Sequence, residues 1–346
     1  MNEEKKKKKL SFLSRIIFFF NSVFAALLLL SYILPYAVPK SFPILSVLSL
    51  LVPVFIIINF FFMLFWILNV RRQFLVSFVV LIIGYSHVTS LYKFSKNTSK
   101  ATENSISVMS YNVRLFNIYE WLKESHVDKK IVDLVHAEFP DIIAFQEFHK
   151  KQIPAFSFYP HQYVVLTGKN KKTGQAIFSK YPIIHKGSLD FPNTANNAIF
   201  IDIVKNKDTI RIYNIHLESL RINPQKEELS QENSGRLLKR MANTFKMQQT
   251  QAELFEQHRK QSHHREIILG DFNNTQFSNV YKKIKGDMKD AFVEAGQGFG
   301  KTLDFAFFPM RIDFILADQS FVVHKFKTFS EHYSDHFPVQ SVISLQ

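Results

Sequence analysis

Eight residues of this chain have types and spacings that could do chemistry together: Asn112, Glu147, His216, Asp271, Asn273, Asp313, Asp335 and His336. They sit in six short segments that run apolar and carry an acid, an amide or a histidine. These are SVMSYN (107–112), DIIAFQE (141–147), IRIYNIH (210–216), IILGDFN (267–273), RIDF (311–314) and YSDH (333–336). A buried strand explains the apolar runs. It does not explain the polar group attached to so many of them. Strand ends that meet on one sheet face would form an acidic, oxygen-rich pocket with histidines, suited to a hard divalent cation and a phosphoester.

Each segment has its own reading. Glu147 closes a strongly apolar strand, where a carboxylate is costly unless it is solvated or coordinated. It is a candidate Mg²⁺ ligand, because Mg²⁺ takes few protein carboxylates and keeps waters. Gly270 lets the backbone turn. Asp271 and Asn273, two apart, can then present a carboxylate and an amide to one phosphate or one water, although an Asx turn leaving a strand has the same spacing. Asp335 can reach the metal while His336 acts as a base. Asp313, flanked by apolar residues, would fix the tautomer of His336, and a structural ion pair is the plainer alternative. A single strand-end histidine such as His216 is more often structural than catalytic, but the other five segments favour function. Gly300-Lys301-Thr302 lacks the glycine a phosphate-binding loop needs five residues earlier, where Ala295 stands.

The elements that would position these groups are those of an α/β domain. Residues 108–112 read as a strand. A helix capped at Ser125 carries the stripe Val127, Ile131, Leu134 and Val135 and stops at Pro140, and an apolar strand follows at 141–145. Later strands at 163–166, 175–179, 198–204 and 210–217 are joined by turn signals, so antiparallel hairpins are expected within the sheet. A long helix at 234–261 repeats Leu238, Met241, Phe245, Gln248, Ala252 and Phe255, one face for packing on the domain. Its off-stripe Arg and Lys residues suit a solvated face or a phosphate-tracking surface. A short helix at 280–284 and strands at 303–308, 312–316 and 339–345 complete the pattern.

Residues 1–94 are different. They hold 10 of the 43 Lys+Arg but 2 of the 29 Asp+Glu, so the membrane flanks account for much of the net charge of +14. Three apolar stretches, about 16–38, 44–69 and 74–92, are long enough to span a bilayer. Lys5 to Lys9, Arg15, Arg71 and Arg72 mark the cytoplasmic ends, so three crossings put the rest of the chain outside the cytoplasm. The expected layout is a membrane anchor over 1–94, a polar linker over 95–105 and a catalytic domain over 106–346. With no cysteine in the chain, disulfides and thiolate metal sites are excluded.

Together the motifs MSYNVR (109–114), QE (146–147), GQAIFSKYPI (174–183), NIHLES (214–219), GDFN (270–273), RIDFI (311–315) and SDHFP (334–338) resemble the endonuclease/exonuclease/phosphatase superfamily, the fold of DNase I. The resemblance covers about residues 105–346. It implies a four-layer α/β sandwich (DNase I-like) and hydrolysis of phosphoesters with Mg²⁺, or Mn²⁺ in its place. It implies metal contacts at Asn112 and Glu147 with Asp335 assisting, and orientation of water and phosphate by Asp271 and Asn273. Asp313 and His336 would form a base dyad, and His216 would contact or protonate the phosphate. Abasic-site endonucleases usually carry Tyr at the position of His216, so a DNA-repair role is not expected. The expected substrate is a phosphodiester of nucleic acid. The alternative is a phospholipid headgroup cut as in sphingomyelinases, and a non-catalytic membrane-tethered module is a third reading. Apart from the bilayer, no protein partner is inferred. The location expected is the inner or plasma membrane, with the catalytic domain extracytoplasmic.

Overall fold

The computed structural model describes residues 10–94, 99–168, 170–220, 231–305 and 308–345. The lysine run at Lys5 to Lys9, and most of the loop 221–233, lie outside the described residues. Five helices form the N-terminal part: α1 (Phe12–Ser31), α2 (Pro43–Val47), α3 (Val52–Leu68), α4 (Phe74–Ile83) and α5 (Tyr85–Leu91). The remainder runs β1 (Ile106–Asn112), α6 (Val127–Glu138), β2 (Ile142–His149), β3 (His161–Thr167), β4 (Thr173–Ser179), β5 (Ile183–Ser188), β6 (Asn197–Lys205), β7 (Asp208–His216) and α7 (Gln231–Arg259). It continues with β8 (Arg265–Asp271), α8 (Asn279–Lys285), β9 (Lys289–Asp290), α9 (Ala291–Ala295), β10 (Leu303–Phe305), β11 (Phe308–Met310), β12 (Asp313–Ala317), β13 (Phe321–Thr328) and β14 (Val339–Leu345).

Two six-stranded sheets, β13-β14-β1-β2-β4-β3 and β5-β6-β7-β8-β12-β9, make the centre of the molecule. Only β1 with β2 and β7 with β8 pair in parallel, each across a helix; the other ladders are antiparallel. Strand side chains alternate between faces, and here both faces are covered. Ile106, Val108, Ile142, Ala144 and Ile177 of the first sheet meet Ile199, Ile201, Ile212, Ile267, Leu269 and Ile315 of the second. The outer face of the first sheet packs Phe145, Phe148 and Phe178 on Val127, Ile131 and Val135 of α6. The outer face of the second packs Tyr213, Ile268 and Phe314 on Ala252 and Phe255 of α7 and Val280 and Ile284 of α8. The result is the expected four-layer α/β sandwich.

Local details differ from the sequence reading. Helix α6 begins one residue later than a Ser125 cap requires. Its N-cap is His126, in the left-handed region at φ 55°, with no side-chain hydrogen bond. Segment 303–308 is not one strand but the two-stranded hairpin of β10 and β11. The apolar stripe of α7 is divided: Ala252 and Phe255 pack on the sheet, whereas Leu238, Met241 and Phe245 pack against Val47 and Leu50 of the N-terminal part.

Helix α1 with the following turn (Phe12–Tyr36) and α2 to α3 (Pro43–Leu68) are long and apolar enough to cross a membrane. The third apolar stretch is a bent pair, α4 and α5, turning by 82° at Gly84. A buried polar chain ties the three together. Asn21 of α1 donates to Ser77 Oγ of α4 at 2.6 Å, and Ser77 donates to Asn59 Oδ1 of α3 at 3.0 Å. Polar groups in such a bundle must find partners inside it, since lipid offers none.

The helices are packed against the sandwich. Lys40 pairs with Glu253 of α7, and its backbone N–H donates to Gln249 Oε1 at 2.7 Å. Asn279 of α8 donates to Pro35 O at 2.9 Å, and Lys282 lies 3.5 Å from the centre of the Tyr36 ring. Phe277 is buried with Leu34, Leu81 and Leu91 of the helices. Lys93 and Gly298 exchange backbone hydrogen bonds of 2.9 Å.

Candidate active site

The candidate residues continue the alternation that builds the core. Ile106 and Val108 face the second sheet, and Asn112 lies in the same phase on β1. Ile212 is followed in phase by Asn214 and His216, and Leu269 by Asp271. Strand β12 runs antiparallel to β8, with Asp313 opposite Asp271. Asp313 therefore begins its strand; the other groups lie at strand C-termini or, for Asp335 and His336, before β14. All reach the same end of the sandwich. Gly270 has φ 145°, and a Cβ there would stand 2.0 Å from Ile215 O, so only glycine permits the close β7–β8 approach beside Asp271.

Glu147 is out of phase. Simple alternation would turn it away from the second sheet, with Ile143 and Phe145. The β2–β4 register shifts between Phe145 and Phe148, and Glu147 takes φ 50°. A bulge of this kind re-aims a side chain. It brings Glu147 Oε1 within 4.0 Å of His216 Nε2.

Asp271, fully buried, is the hub. Its Oδ2 accepts from Asn112 Nδ2 at 3.0 Å and Asn273 Nδ2 at 3.2 Å, and its Oδ1 accepts from the Asn273 N–H at 2.7 Å. The Nε2 atoms of His216 and His336 lie 3.8 and 3.7 Å from Asp271 Oδ2. His336 Nδ1 lies 2.9 Å from Asp313 Oδ2. Asp335 faces Arg114, with Nη1 to Oδ2 at 2.9 Å, and Arg114 stacks over Trp121. All eight predicted residues are thus brought to one place, in two levels. Asn112, His216, Asp271, Asp313 and His336 are buried, whereas the Glu147 and Asp335 side chains keep 33% and 31% exposure.

Burial and charge separate the protonation states. Burial alone would lower the His336 pKa, but Asp313 and Asp271 outweigh it and hold the imidazole well above its ordinary value. Burial, and next the positive His336, push His216 down to about 3, so His216 is neutral. Burial, with Asp313 opposite, raises Asp271 above the carboxylate range against the pull of His336. Burial also raises Glu147, with Asp335 adding to the shift. His216 Nε2 has no hydrogen-bond partner although it is buried, and it lies 4.0 Å from Glu147 Oε1 and 3.8 Å from Asp271 Oδ2. An orphaned polar atom of this sort costs about 1–3 kcal/mol unless a ligand satisfies it.

The donor chemistry fits a hard divalent cation. Asn112, Glu147 and Asp335 offer oxygens only, and two carboxylates at the mouth share the single guanidinium of Arg114. Among the described residues, the acids and histidine whose ligand atoms lie within 4.8 Å of one another are Asp271, Asp313 and His336. There, however, His336 Nδ1 is already engaged by Asp313, so this deeper cluster is better built to hold a proton.

Several supporting residues were not singled out from the sequence. Asn214, completely buried, accepts from Gln146 Nε2 at 2.8 Å and Gln175 Nε2 at 3.2 Å and donates to Phe145 O at 2.8 Å. This amide network joins the two sheets directly beneath the site. An amide in phase with isoleucines was the available signal. Ser334 Oγ donates to Asn112 O at 2.9 Å, and Thr302 Oγ1 accepts from the N–H groups of Ile312 and Asp313. Arg114 gave no signal beyond its place in MSYNVR.

The site opens into a cavity of about 650 Å³. Its polar wall holds Arg114, Glu147, Asp271, Asn273, Asp335 and His336. The opposite side is apolar, from Leu50, Leu51 and Val54 of the N-terminal part and from Leu303, Phe305, Phe308 and Met310 around the β10–β11 hairpin.

Known proteins agree with this architecture. A family model described as endonuclease/exonuclease/phosphatase matches residues 109–336, and one described as a domain of unknown function matches residues 14–91. No curated protein matches. Among solved structures, an endonuclease/exonuclease/phosphatase from Bacteroides vulgatus is 19% identical, covering 70% of this chain and 100% of that one with a TM-score of 0.54. The human Nocturnin catalytic domain with bound sulfate is 16% identical, covering 75% and 98% with a TM-score of 0.56. A mannosyl-6-phosphatase from Bacteroides thetaiotaomicron is 20% identical, covering 69% and 100% with a TM-score of 0.50. At these identities the likeness is one of fold. The family match spans every one of the eight site residues, and on that ground the chain belongs to the endonuclease/exonuclease/phosphatase family of phosphoester hydrolases.

Proposed function

We propose that this chain is a membrane-anchored phosphodiester hydrolase that works with a hard divalent cation, Mg²⁺ or Mn²⁺. The observation that carries the reading is the 2.9 Å Asp313–His336 contact, with Asp271 at 3.7 Å from Nε2, set below the oxygen donors of the mouth. Asn112, Glu147 and Asp335 would hold the cation. When bound there, it supplies neutralisation of the phosphate oxygens.

The remaining roles belong to the chain's own groups. Asp313 fixes the His336 ring through Nδ1, so Nε2 is the atom presented to the pocket. Asp271 and His336, 3.7 Å apart and both held at raised pKa, act as one proton-holding pair, and this pair receives the proton of the attacking water. Asn273 holds Asp271 in place through two hydrogen bonds. His216 is neutral, and its free Nε2 donates to a phosphate oxygen instead of delivering a full proton. Fixed donors of this kind are worth most where charge develops in the transition state.

The test is turnover of bis(p-nitrophenyl) phosphate by the purified full-length chain. Activity is expected with Mg²⁺ or Mn²⁺, loss in excess chelator, and recovery on re-addition. Undiminished turnover in chelator would refute the metal assignment.

The anchor reading rests on 12–36, 43–68 and the bent pair at 74–91, with the sandwich outside the cytoplasm. The ends of the helices near Lys40 and Ser90 contact the sandwich, while Arg71 and Arg72 belong to the turn at the other end of α3. Because the chain has no cysteine, Ile184→Cys and Asn69→Cys can be labelled singly in cells. An impermeant maleimide should reach position 184 and not position 69; the reverse pattern would put the sandwich in the cytoplasm.

A further inference from the structure

The apolar wall of the catalytic cavity comes partly from a membrane helix. Leu50 and Leu51 immediately precede α3, and Val54 lies in its first turn; all three line the same cavity as Glu147, Asp271 and His336. A water-soluble phosphoester gives no reason for a transmembrane segment to enter the active site. Leu51 keeps 42% exposure although it lines the cavity. Leu48 (38%) and Leu45 (45%) precede it at intervals of three along a helical path, and Ile44 (57%) adjoins them. Residues spaced in this way share a side. An exposed apolar strip therefore leads from the catalytic acids to the surface of a bilayer-spanning helix.

The other flank of the cavity is also apolar. Leu303, Phe305, Phe308 and Met310 are each half-buried there, and the hairpin that carries them is bridged to the catalytic segment through Leu303 and His336. Arg114 is the only lysine or arginine among the described residues that line this cavity, and Asp335 pairs with it, as Asp313 pairs with His336. A nucleic-acid strand needs unpaired cations along its backbone and stacking platforms. An acyl chain needs what these walls offer, which is continuous apolar surface. Arg236, Lys239 and Arg240 line an adjoining groove that shares Ser219 and Leu220 with the cavity.

We infer that the substrate is a membrane phospholipid, presented sideways from the leaflet that meets the sandwich, with its acyl part against Leu51, Val54 and Phe305 and its phosphodiester at Glu147, Asp271 and His336. This rests on the phosphodiester hydrolase reading above and adds the substrate class. In the reaction water adds to phosphorus and one P–O ester bond breaks. The ester oxygen leaves as an alcohol, carrying a proton equivalent to the one lost by water, so no other reactant is needed. Leu51, Val54 and Phe305 are then specificity residues that touch the apolar part of the substrate.

The experiment uses the full chain in proteoliposomes of phosphatidylethanolamine, phosphatidylglycerol and sphingomyelin with Mg²⁺, following both lipid-soluble and water-soluble products. Turnover of bis(p-nitrophenyl) phosphate is measured in parallel, with plasmid DNA as a third substrate. Phospholipid turnover is expected. The ratio of phospholipid to soluble-diester turnover should fall about tenfold or more in the double variant L51N/V54N, the scale of one or two lost apolar contacts in a binding pocket. Phe305→Ser, outside the membrane helices, should lower the same ratio and covers the case in which the double variant fails to insert. Leu30→Asn, at an exposed apolar position that does not line the cavity, should leave it unchanged. Soluble-diester turnover without phospholipid turnover would overturn the inference and leave the hydrolase reading intact. Faster cutting of plasmid DNA than of phospholipid, or a ratio unmoved in both L51N/V54N and F305S, would also overturn it. Turnover of neither soluble diester nor phospholipid would overturn both readings.

Discussion

The two walls of the catalytic cavity are built on opposite principles. The polar wall is made of strand ends on two six-stranded sheets and the segment before β14, held by strand pairing and buried amides. The apolar wall is made of the start of a helix long and apolar enough to cross a membrane and of a three-residue-per-strand hairpin. One wall is rigid and carries the reaction. The other is assembled outside the two six-stranded sheets, and in the reading proposed above it selects what reaches the reaction. Fold neighbours as different as Nocturnin and a mannosyl-6-phosphatase fit this division, since a fold fixes a site's frame and not its substrate.

The contact that unites the two walls is the place to break the comparison. Phe245 of α7 is fully buried between Val47, Leu50, Met241 and Leu220. Phe245→Ala should cost about 3–5 kcal/mol, the range for removing a buried aromatic ring. In thermal unfolding of the full chain, this loss should appear together with a fall in phospholipid turnover. A stability loss of under about 1 kcal/mol would mean that the helices are only tethered to the sandwich. The L51N/V54N exchange is a smaller perturbation, about tenfold in a rate ratio, and sharpens the comparison by altering the apolar wall alone.

The polar wall was largely legible in the sequence, and the apolar wall was not. Asn112, His216 and Asp271 declare themselves because a period-two pattern of isoleucine and leucine continues into a polar side chain, and such a position has no core reason to be polar. Asp313 was legible for the same reason, though its place at the start of its strand depends on antiparallel pairing with β8. Glu147 was found by its charge alone. That it faces the site depends on a bulge that no periodicity marks. The membrane wall was hidden because an amphipathic stripe does not name its partner. Leu238, Met241 and Phe245 read as packing on the sandwich, yet half the stripe of α7 packs on Val47 and Leu50 of the N-terminal helices. Residues 95–105 looked like a tether between independent parts, whereas Lys40, Asn279 and Phe277 hold those parts in contact. The bend at Gly84 was likewise invisible in a stretch of uniform hydropathy.

In the proposed mechanism, phosphoester hydrolysis runs through the Asp313–His336 pair at the polar wall. The most direct measurement is turnover by full-length His336→Ala, on bis(p-nitrophenyl) phosphate and on phospholipid vesicles, with Mg²⁺ at saturation. Loss of a positioned base and its charge is expected to lower both rates by about 10²–10⁴-fold, with the chain still folded by its thermal transition. A folded His336→Ala chain that turns over either substrate at the wild-type rate would contradict the account.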